Sequence, residues 1–280
     1  MSATPSLTCH ILDTGHCLAH EHHMIQGGAR ESVECHSIVA LLLHPAHGWL
    51  LWDAGYAPRM LDATARFPYR LYRWLTPLRL RPELAAVAQL PRFGLTAADI
   101  SAVIVSHFHA DHESGLLDFP SSRYVTLPEA YASVARVHGL AALRRGHLPA
   151  LMPTDFAARA AFLNRFDGPP LPALGPTCDY FGDGSLLLVR LPGHARGQLG
   201  MLVNTTRGQL FFVADSCWLA RSVETRRPPA RITNFIVDDP AQVQRTIDGL
   251  HAFAQARPDV LIIPSHCPAT FRREVELPAS

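Results

Sequence analysis

The sequence predicts an α/β fold built as an αββα sandwich, with a helical, aromatic-rich insert near 56–98. Three observations support this. Short apolar runs fall into two groups, helical periods are spread between and after them, and metal-ligand residues stand at the ends of the runs rather than inside them.

The first group of runs lies at 7–13, 36–43, 48–52, 100–106 and 122–126, the second at 179–181, 185–191, 199–204, 209–214 and 259–263. Most are a few residues long, rich in Leu, Val and Ile, and bounded by turn formers, the signature of buried strands. Two sheets with apolar faces bury them against each other, and amphipathic helices cover the outside. Helical periods fall near 57–66, 83–90, 128–144, 155–164 and 240–256. The last opens with Asp239-Pro240, an N-cap followed by a first-turn proline. The segment 56–98 separates two runs that should be neighbours, and it carries Tyr56, Phe67, Tyr69, Tyr72, Trp74 and Phe93. Linkers are seldom so aromatic, so the insert is expected to form a lid over the site.

A chain of 280 residues that is 48% hydrophobic can bury a large core. The candidate ligands span 107 to 266, so any cut between them would split the site, and a single domain over 1–280 is expected. Net charge is +1, no lysine occurs, and the arginines cluster only in pairs such as Arg144-Arg145 and Arg226-Arg227. That is a poor footprint for nucleic acid, and it excludes lysine Schiff-base chemistry. No apolar run approaches the roughly 20 residues that span a bilayer. The six cysteines show no C-x-x-C pair, and the first residues lack a basic start and a continuous apolar stretch. Reduced thiols in a cytoplasmic protein are expected.

The chemistry is concentrated in Ser106-His107-Phe108-His109-Ala110-Asp111-His112, where four ligand-type side chains follow an apolar run ending at Val105. In extended chain His107 and His109 project to one side, while Asp111 and His112 sit where a helix would begin. One pair can serve one metal and the second pair another. Three later runs each end at a lone ligand type: Pro192-Gly193-His194 after 185–191, Asp215 after 209–214, and His266 after 259–263. Rigid strand ends fix ligands while loops leave room for substrate.

With H-x-H-x-D-H, a lone His, a lone Asp and a final His in this order, the chain resembles the metallo-β-lactamase superfamily of hydrolases. The likeness is strongest to the branch of the acyl-homoserine-lactone lactonases, through Leu12-Asp13-Thr14-Gly15, Leu51-Trp52-Asp53-Ala54-Gly55, and Pro192-Gly193-His194 followed by Gly197-Gln198. The resemblance implies that His107, His109 and His194 hold a first metal, that Asp111, His112 and His266 hold a second, and that Asp215 bridges both. It assigns Asp53 a bracing role. It also implies two divalent ions, with Zn2+ favoured by the nitrogen and oxygen donors, although Fe, Mn or Co fit them too. The activity expected is hydrolysis by a metal-bridging hydroxide of a lactone or carboxylic ester, such as an N-acyl homoserine lactone or a similar acylated small molecule, with Asp111 shuttling the proton. Trp218, Phe67 and Tyr69, together with Leu18 in what resembles a loop at the pocket mouth, are the expected substrate contacts.

One departure stands out. The lactonases place a tyrosine three residues after the bridging aspartate, whereas this chain reads Asp215-Ser216-Cys217-Trp218. An indole N–H donates a hydrogen bond but does not exchange a proton as a phenol does. A thioesterase or phosphodiesterase of the same fold is therefore the alternative, with a non-catalytic metal-bound signalling protein behind it. The second histidine-rich stretch, His16, Cys17, His20, His22 and His23, lacks the paired spacing of closed zinc sites and is expected to be structural or pocket-lining. Cys267 is expected to point away from the site by alternation. The oligomeric state stays open.

Overall fold

The computed structural model describes residues 4–276, in which two sheets face each other. The strands are β1 (Thr8–His20), β2 (Ser32–His44), β3 (Gly48–Trp52), β4 (Leu78–Arg79), β5 (Ile100–Ile104), β6 (Arg123–Thr126), β7 (Ala160–Phe162), β8 (Gly168–Leu171), β9 (Gly175–Asp179), β10 (Leu186–Arg190), β11 (Leu199–Thr205), β12 (Gly208–Ala214) and β13 (Leu261–Pro264). The first sheet runs β4-β1-β2-β3-β5-β6-β7 and the second β13-β12-β11-β10-β9-β8. The αββα expectation is met.

Alternation decides which side chains join which layer. In β10, Leu186 and Leu188 enter the core between the sheets, while Leu187 and Val189 face the other way. In β12, Leu210, Phe212 and Ala214 point inward and Phe211 and Val213 outward. The outward set packs on the helix Pro240–Ala256 through Val243, Ile247, Leu250 and Phe253, whose spacing of three and four residues makes one stripe. Each such side chain contributes about 1.5–3 kcal/mol when fully buried. The helix starts where the sequence places it, because the Asp239 carboxylate accepts from the backbone N–H groups of Ala241 and Gln242 at 2.9 and 3.1 Å.

Several boundaries differ from expectation. The period at 155–164 yields only one turn, Phe156–Arg159, before the chain extends as β7 and pairs parallel with β6. Pairing with an open sheet edge outweighs the helical preference of the two alanines in Ala160-Ala161-Phe162. The period at 128–144 splits into Pro128–Val134 and Gly139–Arg144, the break falling before Gly139, which sits at φ +62°. The segment around Leu18, expected as a loop, is the second half of β1, paired with β2 as far as His20.

The insert is a crossover between β3 and β5, which pair parallel from Trp49↔Ile100 to Trp52↔Ile104. Within it lie the helices Arg59–Ala63 and Arg70–Leu75, and then β4, which pairs with β1 at Cys17 and His16. The insert thus extends the first sheet at its β1 edge.

Candidate metal centre

Ligand-type side chains converge from the ends of β5, β10, β12 and β13, so both sheets contribute. His107, His109, His194 and Asp215 offer atoms that all lie within 4.8 Å of one another, and Asp111, His112 and His266 form a second such group. All seven are buried. His194 Nε2 stands 2.9 Å from His109 Nδ1. The Asp215 carboxylate touches both groups, with Oδ2 at 3.3 Å from His194 Nε2 and 2.9 Å from His266 Nε2, and Oδ1 at 3.2 Å from His112 Nε2.

Local backbone explains how the lone ligands arrive. Gly193 has φ +130°, and a Cβ there would meet the backbone nitrogen of Val243 at 2.4 Å, so only glycine lets the turn carrying His194 pass beside the long helix. Ala214 adopts φ +47° at a bulge between β12 and β13, an unfavourable conformation that presents Asp215.

The rings are oriented from behind. Asp53 Oδ1 accepts from the Ser106 N–H at 2.7 Å, and Oδ2 accepts from the Ser106 hydroxyl at 2.8 Å and from His112 Nδ1 at 2.8 Å. Because the Ser106 proton is committed to Asp53, its oxygen accepts from His107 Nδ1 at 3.0 Å. His266 Nδ1 donates to the backbone oxygen of His36. His107 and His112 then turn an Nε2 without a hydrogen-bond partner toward the cluster, and His266 turns its Nε2 onto the Asp215 carboxylate. Asp53 belongs to neither ligand group and acts as the brace behind them.

Electrostatics agree. Burial, with neighbouring histidines, holds His107 and His194 well below the ordinary imidazole range. Burial brings His109 down to about 4. At His112 and His266 burial also works against the charged form, but the carboxylates outweigh it: Asp215, Asp53 and Asp111 raise His112 well above its usual value, and Asp215 with Asp111 brings His266 to about 9. Asp215 is driven well below the usual carboxylate range, because His266, His112 and His194 overcome its burial. His107 Nε2, His112 Nε2 and Asp215 Oδ1 are buried without a hydrogen-bond partner. Buried polar atoms of this kind call for an explanation, and a divalent ion in each group is the one their donor chemistry fits.

The remaining expected residues are scattered. Trp218 is buried beside the cluster, its indole N–H donating to Asp215 Oδ2 at 2.9 Å and its ring edge-on to His194 at 5.7 Å. Phe67 is 66% exposed and lines neither of the two main cavities. The Tyr69 hydroxyl accepts from the Gly139 N–H at 2.8 Å, tying the insert to the helix Gly139–Arg144. Leu18 donates its N–H to Pro77 O of the insert at 2.9 Å. Cys267 turns away into a cluster with Met24, Ile25, Trp218 and Leu219. Cys217 packs beside Val213 and Val223.

Two features were missed from sequence. Tyr72, not singled out among the aromatic residues of the insert, packs against Cys17, Tyr56, Met60 and Ala110 and donates its hydroxyl to Asp111 Oδ1 at 3.4 Å. Burial and the neighbouring Asp111 charge keep this phenol protonated, well above its usual range. Its helical surroundings gave no sign of the direction it takes. Ser106, adjoining the motif, is the other, its hydroxyl linking Asp53 to the His107 ring.

Residues 34–266 match the family model described as Metallo-beta-lactamase superfamily. The chain belongs to the metallo-beta-lactamase superfamily. Its fold is that of metal-dependent hydrolases, and it is an enzyme of that kind. The chain is 26% identical over 221 residues to the N-acyl homoserine lactonase AiiB of Agrobacterium fabrum, covering 79% of this chain and 76% of the relative. It is also 26% identical over 259 residues to the probable metallo-hydrolase Mb2322c of Mycobacterium bovis, covering 85% and 76%. The fold superimposes with a TM-score of 0.77 at 15% identity, over 98% of this chain and 99% of the other, on an N-acyl homoserine lactone hydrolase with the product N-hexanoyl-L-homoserine bound at its catalytic metal center.

Proposed function

We propose that this superfamily member opens a lactone, or cleaves a carboxylic ester, of an acylated small molecule such as an N-acyl homoserine lactone. The observation that carries this is the Asp215 carboxylate reaching both ligand groups, in which His107 Nε2, His112 Nε2 and Asp215 Oδ1 lack hydrogen-bond partners. His107, His109 and His194 would hold one divalent ion, Asp111, His112 and His266 a second, and Asp215 would be shared, with Zn2+ favoured. Bound there, the pair would supply a hydroxide nucleophile near neutral pH and polarise the substrate carbonyl. Asp111 holds a carboxylate at the cluster, placed to take a proton and return it to the leaving oxygen. Tyr72 steadies that carboxylate through its hydroxyl, and Trp218 does the same for Asp215 while walling the site. Relatives named as lactonases support the substrate class.

We further read residues 1–280 as one domain, because both sheets supply ligands, and place the protein in the cytoplasm, which six free thiols support. Among the described residues no helix is long and apolar enough to cross a membrane. The purified, metal-loaded protein is to be incubated with an N-acyl homoserine lactone panel, an acyl-CoA panel and bis(p-nitrophenyl) phosphate. Lactone or ester turnover well above the other two is expected. Thioester or phosphodiester cleavage alone overturns the lactonase assignment in favour of the alternative raised by Trp218.

A further inference from the structure

A cavity of about 520 Å³ opens beside the metal centre, with His109 and His194 in its wall. An occupant therefore meets two candidate ligands at one end. Val134 and Val237 contribute apolar wall, enough for a short hydrocarbon stem. Arg144, Arg145 and Arg196 line it as well. Arg145 donates to the Ser133 backbone oxygen, whereas the side chains of Arg144 and Arg196 make no hydrogen bond or ion pair among the described residues. Two acids also line the cavity, but Glu129 is paired with Arg190, leaving three guanidinium groups opposite one unpaired carboxylate, Asp238. All three arginines are exposed. Apart from the bond of Arg145 to Ser133, no internal contact accounts for three arginines lining this one cavity.

We propose that this cavity binds an oxyanion, a carboxylate or phosphate carried by the acylated substrate away from its scissile bond, through Arg144, Arg145 and Arg196. A guanidinium presents a planar fork of donors that fits either group; those of Arg144 and Arg196 can close on it without breaking a bond the protein already makes, while Arg145, held through one nitrogen by the Ser133 oxygen, adds its charge. Because the arginines are solvent-facing, their attraction is screened by salt, which gives the interaction a signature that apolar contacts lack. The hydrolytic half of the proposal rests on the function proposed above, whereas the binding half stands without it.

The test uses matched acyl lactones whose chain ends in a carboxylate, a phosphate or the methyl ester of the same carboxylate, with the metal-loaded protein and its Arg144→Gln/Arg196→Gln variant. Expected is a kcat/KM for at least one anionic lactone roughly tenfold or more above that for the neutral ester. The preference should reside in KM, shrink from low to high salt, and collapse in the variant. Arg196→Glu should reverse it. The carboxylate and phosphate arms distinguish the two sources of the oxyanion. Calorimetric titration of all three ring-opened products into metal-free parent and variant gives a second readout, with the methyl-ester product, whose one carboxylate is that formed by ring opening, as the reference. Equal turnover of all three lactones by the parent, or a preference that survives in the variant, overturns the oxyanion site while leaving the hydrolase assignment standing. Arginine-dependent product binding without turnover of any lactone supports the site and removes the proposed reaction instead.

Discussion

Two histidine-rich stretches, 107–112 and 16–23, are similar in composition and opposite in outcome. The first turns its ring nitrogens into a shared space, with Asp53, Ser106 and the His36 carbonyl bracing the cluster from behind. The second scatters. His16 faces Glu34 at 3.5 Å from the β1–β2 ladder, while His20 at the end of β1 packs ring against ring with His22 and His23 beyond it, 4.2–5.6 Å between centroids. Among the described residues they belong to no group that could hold a metal. Having many histidines is thus not what makes a site. For His107, His112 and His266 the outer nitrogen is committed where the chain leaves a strand end, and the inner one is thereby aimed at the cluster.

The sharpest way to break this contrast is to remove one ring from each stretch. His109→Ala should lose bound metal and lower turnover by at least about 100-fold, because charge stabilisation of the reacting carbonyl goes with it. Circular dichroism should be unchanged, since the apolar core between the sheets does not depend on metal. His22→Ala should keep its metal content and turnover. Metal analysis that showed an ion lost from His22→Ala would end the distinction drawn here.

The brace itself is the next target. Asp53→Asn keeps size but removes the charge that accepts from His112 and Ser106, and metal affinity measured by competition with a chelator should fall about 10–100-fold. An unchanged affinity would mean that the rings are held by packing alone.

Tyr72→Phe asks whether the insert adds chemistry to the first stretch. The hydroxyl stands 3.4 Å from its charged partner, longer than a well-formed O–H···O bond, so its loss corresponds to about 0.5–1.5 kcal/mol and kcat should drop by roughly two- to tenfold with KM little moved. A change confined to KM would reduce Tyr72 to a wall residue.

The smallest effect is a pH dependence of the chelator-treated protein. The carboxylates hold folded His266 at about 9 against an ordinary 6.5, so the stability it contributes is complete below 6.5 and lost as pH rises through about 9. His109, lowered by burial to about 4, contributes stability above 6.5 that is lost as pH falls through 4. The melting temperature without metal should therefore decline from pH 6.5 towards 9, while metal-loaded protein, whose imidazoles are already deprotonated, should decline less. Parallel curves would show that these side chains do not exchange protons for metal.

Most of the strands, and the seven candidate ligand side chains that the fold gathers into two groups, were legible in the sequence because both are local signals, whereas β4 and β8 were not expected and β9 ends at Asp179, where a run at 179–181 was expected. Apolar runs with turn formers at their ends mark strands, and H-x-H-x-D-H with three lone residues at later run ends marks ligands. The long helix was legible to the residue because its cap and its stripe agree. Other elements were not, since β7 forms by pairing with the edge of β6 against its own composition, and Leu18 lies in a strand because β2 continues beside it. The direction of each side chain was likewise out of reach. Tyr72, rather than Phe67 or Tyr69, reaches Asp111 because the crossover from β3 to β5 folds back along β1, and the three arginines gather at one cavity from positions 144 to 196. A sequence determines which groups are available and their local geometry, but the contacts between distant segments that commit one ring nitrogen and bare the other are decided only when the two sheets pack.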